Sequence, residues 1–168
     1  YINSMSAVDE DYKNNALGEM YFQKAFAYFL LVRAYGAVPY FDTDVANGNT
    51  YYEPRRPVSE IYGHITDLLT KASSMMYHRD NSNYKSGHVC AGSAAGLLAK
   101  VYCTMASAAM PEGTKIVVKT GAPYEMVNGK QHYRLPSAET LEKDTVAGYT
   151  QMNSQELYTK AAEWAKKV

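Results

Sequence analysis

The chain has 168 residues, 46% of them hydrophobic and 20% charged, and its 17 basic and 17 acidic side chains give a formal net charge of zero. That length suits one compact domain or part of a larger one, and the composition is too apolar for a disordered tail. Without net charge there is no global attraction to nucleic acid or anionic lipid, so no nucleic-acid partner is expected and any partner is recognised locally.

The first element is a helix over about Asp9 to Tyr35, with Ser6 and Asp9 resembling a capping start and Gly36 followed by Pro39 as its stop. Its second half, YFQKAFAYFLLVRAYGAVPY, is apolar on nearly every side, yet the uncharged run is only Ala25 to Val32. A bilayer span needs about 20 apolar residues, so this segment does not cross a membrane. A helix apolar all round is otherwise one enclosed by other helices. Arg33, near its end, is placed to complement the helix dipole. Sixteen tyrosines, against four phenylalanines and one tryptophan, favour half-wet surfaces as well as gap-filling between helices.

A second helix reads PVSEIYGHITDLLTKASSMMY. Val58, Ile61, Tyr62, Ile65, Leu68, Leu69, Ala72, Met75 and Met76 form one buried stripe, and Pro57 suits its first turn. The polar stretch HRDNSNYKSGHV, residues 78–89, returns the chain as an antiparallel helical hairpin. In the third helix, CAGSAAGLLAKVYCTMASAAM, Ala94, Ala95, Leu98, Val101, Tyr102, Met105, Ala108 and Ala109 repeat the stripe, and small residues let a neighbour approach closely. Cys90 and Cys103 on that helix lie about 20 Å apart, too far for a disulfide, and read as inert core thiols.

Residues 110–153 are a long insertion carrying KIVVK, YEMV, Asn128-Gly129 and KQHY, and the Asn-Gly pair predicts a small β-hairpin there. The fourth helix, SQELYTKAAEWAKKV, starts with capping-box spacing between Asn153 and Glu156 and runs in mid-pattern to Val168, as if its packing continued in a longer chain. The fold class expected is all-α: tetratricopeptide-like helical repeats, an α-α superhelix, interrupted by the insertion at 110–153.

Four ordered segments carry a family resemblance. EMYFQKAFAYFLLVRAYGAVPYF, from Glu19 to Phe41, resembles the signature E-A-x-F-x-R-A-x-x-Y-F-x-L-V-R-x-Y-G-x-V-P of the SusD/RagB family of nutrient-binding outer-membrane lipoproteins. Met20 stands for the usual small residue and Lys24 for the usual Arg. RRPVSEIYGHITDLLTKA, SAAGLLAKVYCTMA and LYTKAAEWAKKV are similar to the family's later helices. The resemblance implies one helical-repeat region over residues 1–168, part of a longer chain, lipid-tethered to the outer membrane. It also implies a SusC-like TonB-dependent transporter as partner, an oligosaccharide or other nutrient as ligand, and no catalysis. The family's lipid-bearing Cys and signal peptide have no counterpart in these residues.

The residues themselves offer little for chemistry. No phosphate-binding glycine loop, H-E-x-x-H or nucleophile elbow occurs. His88 and Cys90 supply two potential metal ligands where zinc wants three or four. Asp42, Asp44 and Glu53 fit positions of a calcium-loop count, but Asn47 stands where its glycine belongs. Glu60 and Asp67 share a helix side but read as solvated charges. No metal and no cofactor is therefore expected. Ligand contact points instead to Tyr51 and Tyr52, after Asn47 and Asn49, and to Tyr84, set among Asn81, Asn83 and Lys85, because rings cover a sugar's apolar face while amides bond its hydroxyls. The leading expectation is a glycan-capturing subunit; a tetratricopeptide adaptor for peptides and a fragment of an α-helical glycosidase are the alternatives.

Overall fold

Asp9 starts the first helix, α1 (Glu10–Tyr35), by accepting the backbone N–H groups of Asp11 at 2.9 Å and Tyr12 at 3.4 Å, which satisfies donors that a helix start otherwise leaves unpaired. Gly36 ends it with φ 69° while its N–H bonds Val32 O at 2.9 Å, a backbone state that a side chain disfavours. The computed structural model describes residues 8–42, 52–121, 124–133 and 137–168. Ser6, the other half of the expected cap, lies outside them.

Beyond α1 the chain forms α2 (Val58–Met75), α3 (Ala91–Ala108) and α4 (Ser154–Ala165). Pro57 falls one place earlier than expected, just before the first helical residue, where its carbonyl accepts Ile61 N–H at 3.1 Å. Asn153 caps α4, accepting Glu156 N–H at 3.2 Å and donating to the Glu156 carboxylate at 3.1 Å. That helix closes at Ala165 rather than running to Val168.

The helices pack consecutively and alternate in direction. Met75 and Met76, at the end of α2, meet Gly18 near the start of α1; Ala91 N–H, at the start of α3, bonds Tyr77 O; Ser154 Oγ donates to Ala106 O where α3 ends and α4 begins. Phe29, Val32, Ile61, Tyr62, Ile65, Leu69, Leu98 and Val101 are the largest side chains fully enclosed between them, each stabilising the fold by about 1.5–3 kcal/mol through burial. The expected stripe of α2 is the buried face observed, Val58 through Ala72, with Met76 4% exposed just beyond.

Two strands of two residues, β1 (Val38–Pro39) and β2 (Arg55–Arg56), pair antiparallel beside the end of α1. They were not legible as strands, being too short for any alternation. Their role is visible in Arg55, which donates to Ala37 O at 2.6 Å and to Tyr35 O at 2.9 Å. Arg55 thus bonds the carbonyls directly, whereas Arg33 lies in the last turn with its guanidinium 5.1 Å from the centre of the Phe29 ring. The chain after Pro39 is drawn back onto α1. Tyr40 stacks on His64 at 3.8 Å between ring centres, Lys24 Nζ sits 4.7 Å from the Tyr40 ring and donates to Phe41 O at 2.7 Å, and Tyr28 Oη accepts Phe41 N–H at 3.0 Å. Burial, reinforced by Asp42, pushes the Tyr40 phenol up to about 12.

The insertion is a larger β arm than expected. Asn128 and Gly129, with φ 51° and 74°, make the turn between β4 (Tyr124–Val127) and β5 (Lys130–Tyr133), the left-handed pair that matches strand twist. Further from the turn, β3 (Lys115–Thr120) pairs with β6 (Ser137–Glu142), from Lys115 opposite Glu142 to Thr120 opposite Ser137. β6 reads SAETLE, and with one large apolar side chain it carries no hydrophobic period to announce it.

Two expectations are corrected. Cys90 flanks the start of α3, half-buried with its N–H bonded to Ser93 Oγ at 3.2 Å, and Cys103 is exposed; neither is a core thiol. α1, expected to be enclosed, is covered on one side only among the described residues. Ala25, Phe29 and Val32 face α2, whereas Phe26 is 45% exposed, Leu30 49% and Leu31 40%, beside exposed Met20, Ala27 and Ala34. At 3.6 residues per turn, Met20, Ala27, Leu31 and Ala34 lie opposite the Ala25–Phe29–Val32 row. Among the described residues no helix is long and apolar enough to cross a membrane.

The segment before α4 is tied to α2 by one buried polar contact. Tyr62 Oη and Tyr149 Oη lie 3.0 Å apart, and Gly148, at φ 86°, presses so close to Val58 that a Cβ would come within 2.9 Å of it. Removing one hydroxyl leaves the other buried and unpaired, a loss of about 1–3 kcal/mol. Tyr62→Phe and Tyr149→Phe are each expected to lower stability, and the double substitution to be no worse than either alone, as read by a double-mutant cycle on denaturant unfolding.

Candidate functional site

Tyr12, Asn15, Ala16, Glu19 and Met20 recur on α1 at the three- and four-residue spacing that puts side chains on one helix face. In the structure this face turns toward the loop between α2 and α3, and together they line a cavity of about 170 Å³ with Tyr77, Asn83, Tyr84, Lys85 and His88. What permits the approach is Gly18. A Cβ there would lie 2.6 Å from Met76 Cγ and 3.1 Å from Met76 N, so α1 could not sit this near the end of α2 with any larger residue.

The close approach brings Asn15, only 8% exposed, to the first residue of the loop. Asn15 Oδ1 accepts Tyr77 N–H at 2.8 Å, and Asn15 Nδ2 donates to Glu19 Oε1 at 2.9 Å. His88 Nδ1 is 3.1 Å from Glu19 Oε1 and 3.0 Å from Oε2. An ionised carboxylate only accepts, so Nδ1 carries the proton in this contact. The Glu19 side chain is 14% exposed and that of His88 54%. The carboxylate is therefore held by two partners while the imidazole opens to solvent. Tyr77, itself buried, has its phenol raised above the ordinary range by burial and by the nearby Asp11 carboxylate.

The loop is ordered by its own polar groups. Asn81 Oδ1 accepts Asn83 N–H at 2.8 Å, Tyr84 N–H bonds Asn81 O at 3.0 Å, and Tyr84 Oη donates to His88 O at 3.0 Å. Side-chain mimicry of a turn by Asn explains why this stretch reads as loop yet holds a fixed shape. Of the three tyrosines expected to touch ligand, Tyr84 lines the cavity. Tyr52 is 92% exposed, three residues before Arg55 and so at the opposite end of α1, about 20 Å away by helix rise. Tyr51 lies outside the described residues, as do Asp44 and Asn47 of the calcium-loop count. Tyr12, Asn15, Glu19, Tyr77 and His88 were not expected at a site, although the 12–15–19 spacing on α1 was there to be read.

No metal centre forms from these groups: among the described residues, no three His, Cys, Asp or Glu side chains converge as ligands. Glu60, 41% exposed, is shared between Arg56 at 3.5 Å and His64 at 3.8 Å, and Asp67 is exposed, so both are solvated as expected.

Asn15→Ala removes the acceptor for a buried N–H at a typical cost of about 1–3 kcal/mol. Amide hydrogen exchange at Tyr77 is expected to accelerate about tenfold or more, with residues of α4 unaffected, when followed by mass spectrometry.

Residues 1–103 match the model of a family described as "Starch-binding associating with outer membrane". Two solved structures from Bacteroides fragilis NCTC 9343 are similar. One, a SusD-like protein, is 27% identical with a TM-score of 0.54, the match covering 60% of this chain and 20% of that one. The other, a SusD superfamily protein, is 25% identical with a TM-score of 0.51 over 71% of this chain and 22% of that one. The chain thus corresponds to about a fifth of the length of those proteins. No curated protein matches it significantly.

Proposed function

Because the chain belongs to the SusD-like family of starch-binding, outer-membrane-associating proteins, we propose that it is part of a cell-surface protein that captures glycans and delivers them to a SusC-like TonB-dependent transporter. The observation that carries this reading is the family match over residues 1–103, which takes in α1, α2 and most of α3. The whole protein in this reading is a lipoprotein displayed on the outer membrane. Its work is reversible binding, and it performs no bond chemistry; the solvated, cation-paired state of Glu60 supports that, since a glycosidase acid needs a carboxyl whose surroundings hold its proton.

The helical part acts as a rigid platform of tetratricopeptide-like layers. Alternating helices packed on their sequence neighbours support this, and so does the second apolar face of α1, which has the composition of a surface meant for a further helix. In the proposed stack, Phe26, Leu30 and Leu31 face that next layer.

The full-length protein tested by calorimetry against starch-derived and other oligosaccharides is expected to bind at least one class without releasing reducing ends, and to co-purify with its transporter. Hydrolysis that disappears on Glu60→Gln would contradict the proposal, as would failure to bind any glycan offered.

A further inference from the structure

The cavity between α1 and the 78–89 loop has the chemistry of a sugar site. Its walls combine rings, Tyr12 at 57% exposure and half-buried Tyr84, with the flexible apolar Met20 at 45% exposure. Its polar groups are Asn15, Asn83, Glu19, Lys85 and His88. Aromatic faces cover C–H surfaces, while a carboxylate and amides take hydroxyls, so the lining suits a molecule apolar on its faces and hydroxylated at its edge.

Size and charge narrow the class. A volume of about 170 Å³ is below the roughly 300 Å³ at which drug-sized pockets begin. One six-membered sugar ring fits; an oligosaccharide extends outward from it. Glu19 is already hydrogen-bonded by His88, and Lys85 adds a positive charge to the lining. An ammonium ligand would compete with His88 for the carboxylate, and an anion would face that carboxylate at close range. A neutral polyol meets neither penalty.

The polar groups are also fixed before any ligand arrives. Asn15 is bonded at both ends of its amide, Glu19 holds Asn15 and His88, and Tyr84 is pinned to His88 O. An ionised carboxylate has about four lone-pair sites, and the three contacts from Asn15 and His88 leave room for a hydroxyl. Among the described residues His88 Nε2 has no hydrogen-bond partner, which leaves it for a second hydroxyl. Preorganised groups lose little entropy on binding, which is where weak sugar sites gain affinity.

We propose that this cavity is a subsite for one neutral hexopyranose unit of the bound glycan, with Tyr12 and Tyr84 flanking the ring and Glu19 and His88 bonding its hydroxyls. The proposal rests on the glycan-capturing reading above.

Titration of the full-length protein with maltotriose and, as a single-ring probe, methyl α-glucoside tests it. Tyr84→Ala and Glu19→Gln are expected to weaken maltotriose at least tenfold, with Tyr133→Ala, exposed on β5, unchanged. Tyr12 is exposed at the surface of α1, so Tyr12→Ala keeps the fold and is expected to weaken binding several-fold even if the Tyr84 variant proves unstable. Maltotriose binding by the wild type that survives Tyr12→Ala and Glu19→Gln unaltered overturns the subsite and leaves the glycan-capturing reading standing. Absence of binding to both starch-type probes, alongside binding of another glycan weakened by the same variants, keeps the subsite and reassigns its sugar. Failure to bind any glycan overturns both.

Discussion

The structure is governed by the amount of apolar surface on α1. A helix that carries Phe29 and Val32 on one side and Leu30 and Leu31 on the other cannot satisfy both sides with a single neighbour. α2 takes the first side, and the second remains exposed in this chain. Everything that positions α1 follows from the need to hold that one-sided contact in register. Gly18 allows close approach at one end, Arg55 bonds the terminal carbonyls at the other, and Tyr40, between Lys24 and His64, ties down the segment that follows.

The cavity is a by-product of the same constraint. Because α1 extends from Asp9 past the end of α2, its first turns project over the loop that leads to α3, and their polar residues find partners there rather than in a helix. Asn15 is the hinge of this arrangement: buried, bonded to the loop backbone and to Glu19. Fixed loops with satisfied backbone groups are where rigid scaffolds place binding residues, and this loop owes its shape to Asn81 and Tyr84 as much as to the helices.

The helices were legible because their stripes repeat over many residues, and α2 shows how far that goes, with its buried face named almost residue by residue from spacing alone. The Asn128-Gly129 turn was legible for a local reason, since both positions need left-handed backbone. What escaped was non-local. β1 and β2 are two residues long and exist through Arg55 reaching back to Tyr35; β6 has no apolar period; and Glu19 and His88 meet across 69 positions of sequence. Tyr84 was picked out by its polar setting, but nothing in the sequence distinguished it from Tyr52, which lies fully in solvent near the far end of α1. The expected enclosure of α1 is met on one side, where Phe29 and Val32 are buried, and not on the other, where Leu30 and Leu31 are exposed.

Thiol labelling at Leu30→Cys in the full-length protein tests that account most directly, with the protein unfolded in urea as reference. If a further helical layer covers the second face of α1, the introduced thiol reacts at least a hundredfold more slowly in the folded protein. Labelling as fast as in the unfolded chain would mean that Leu30 stands in water, and the stacked architecture would be wrong.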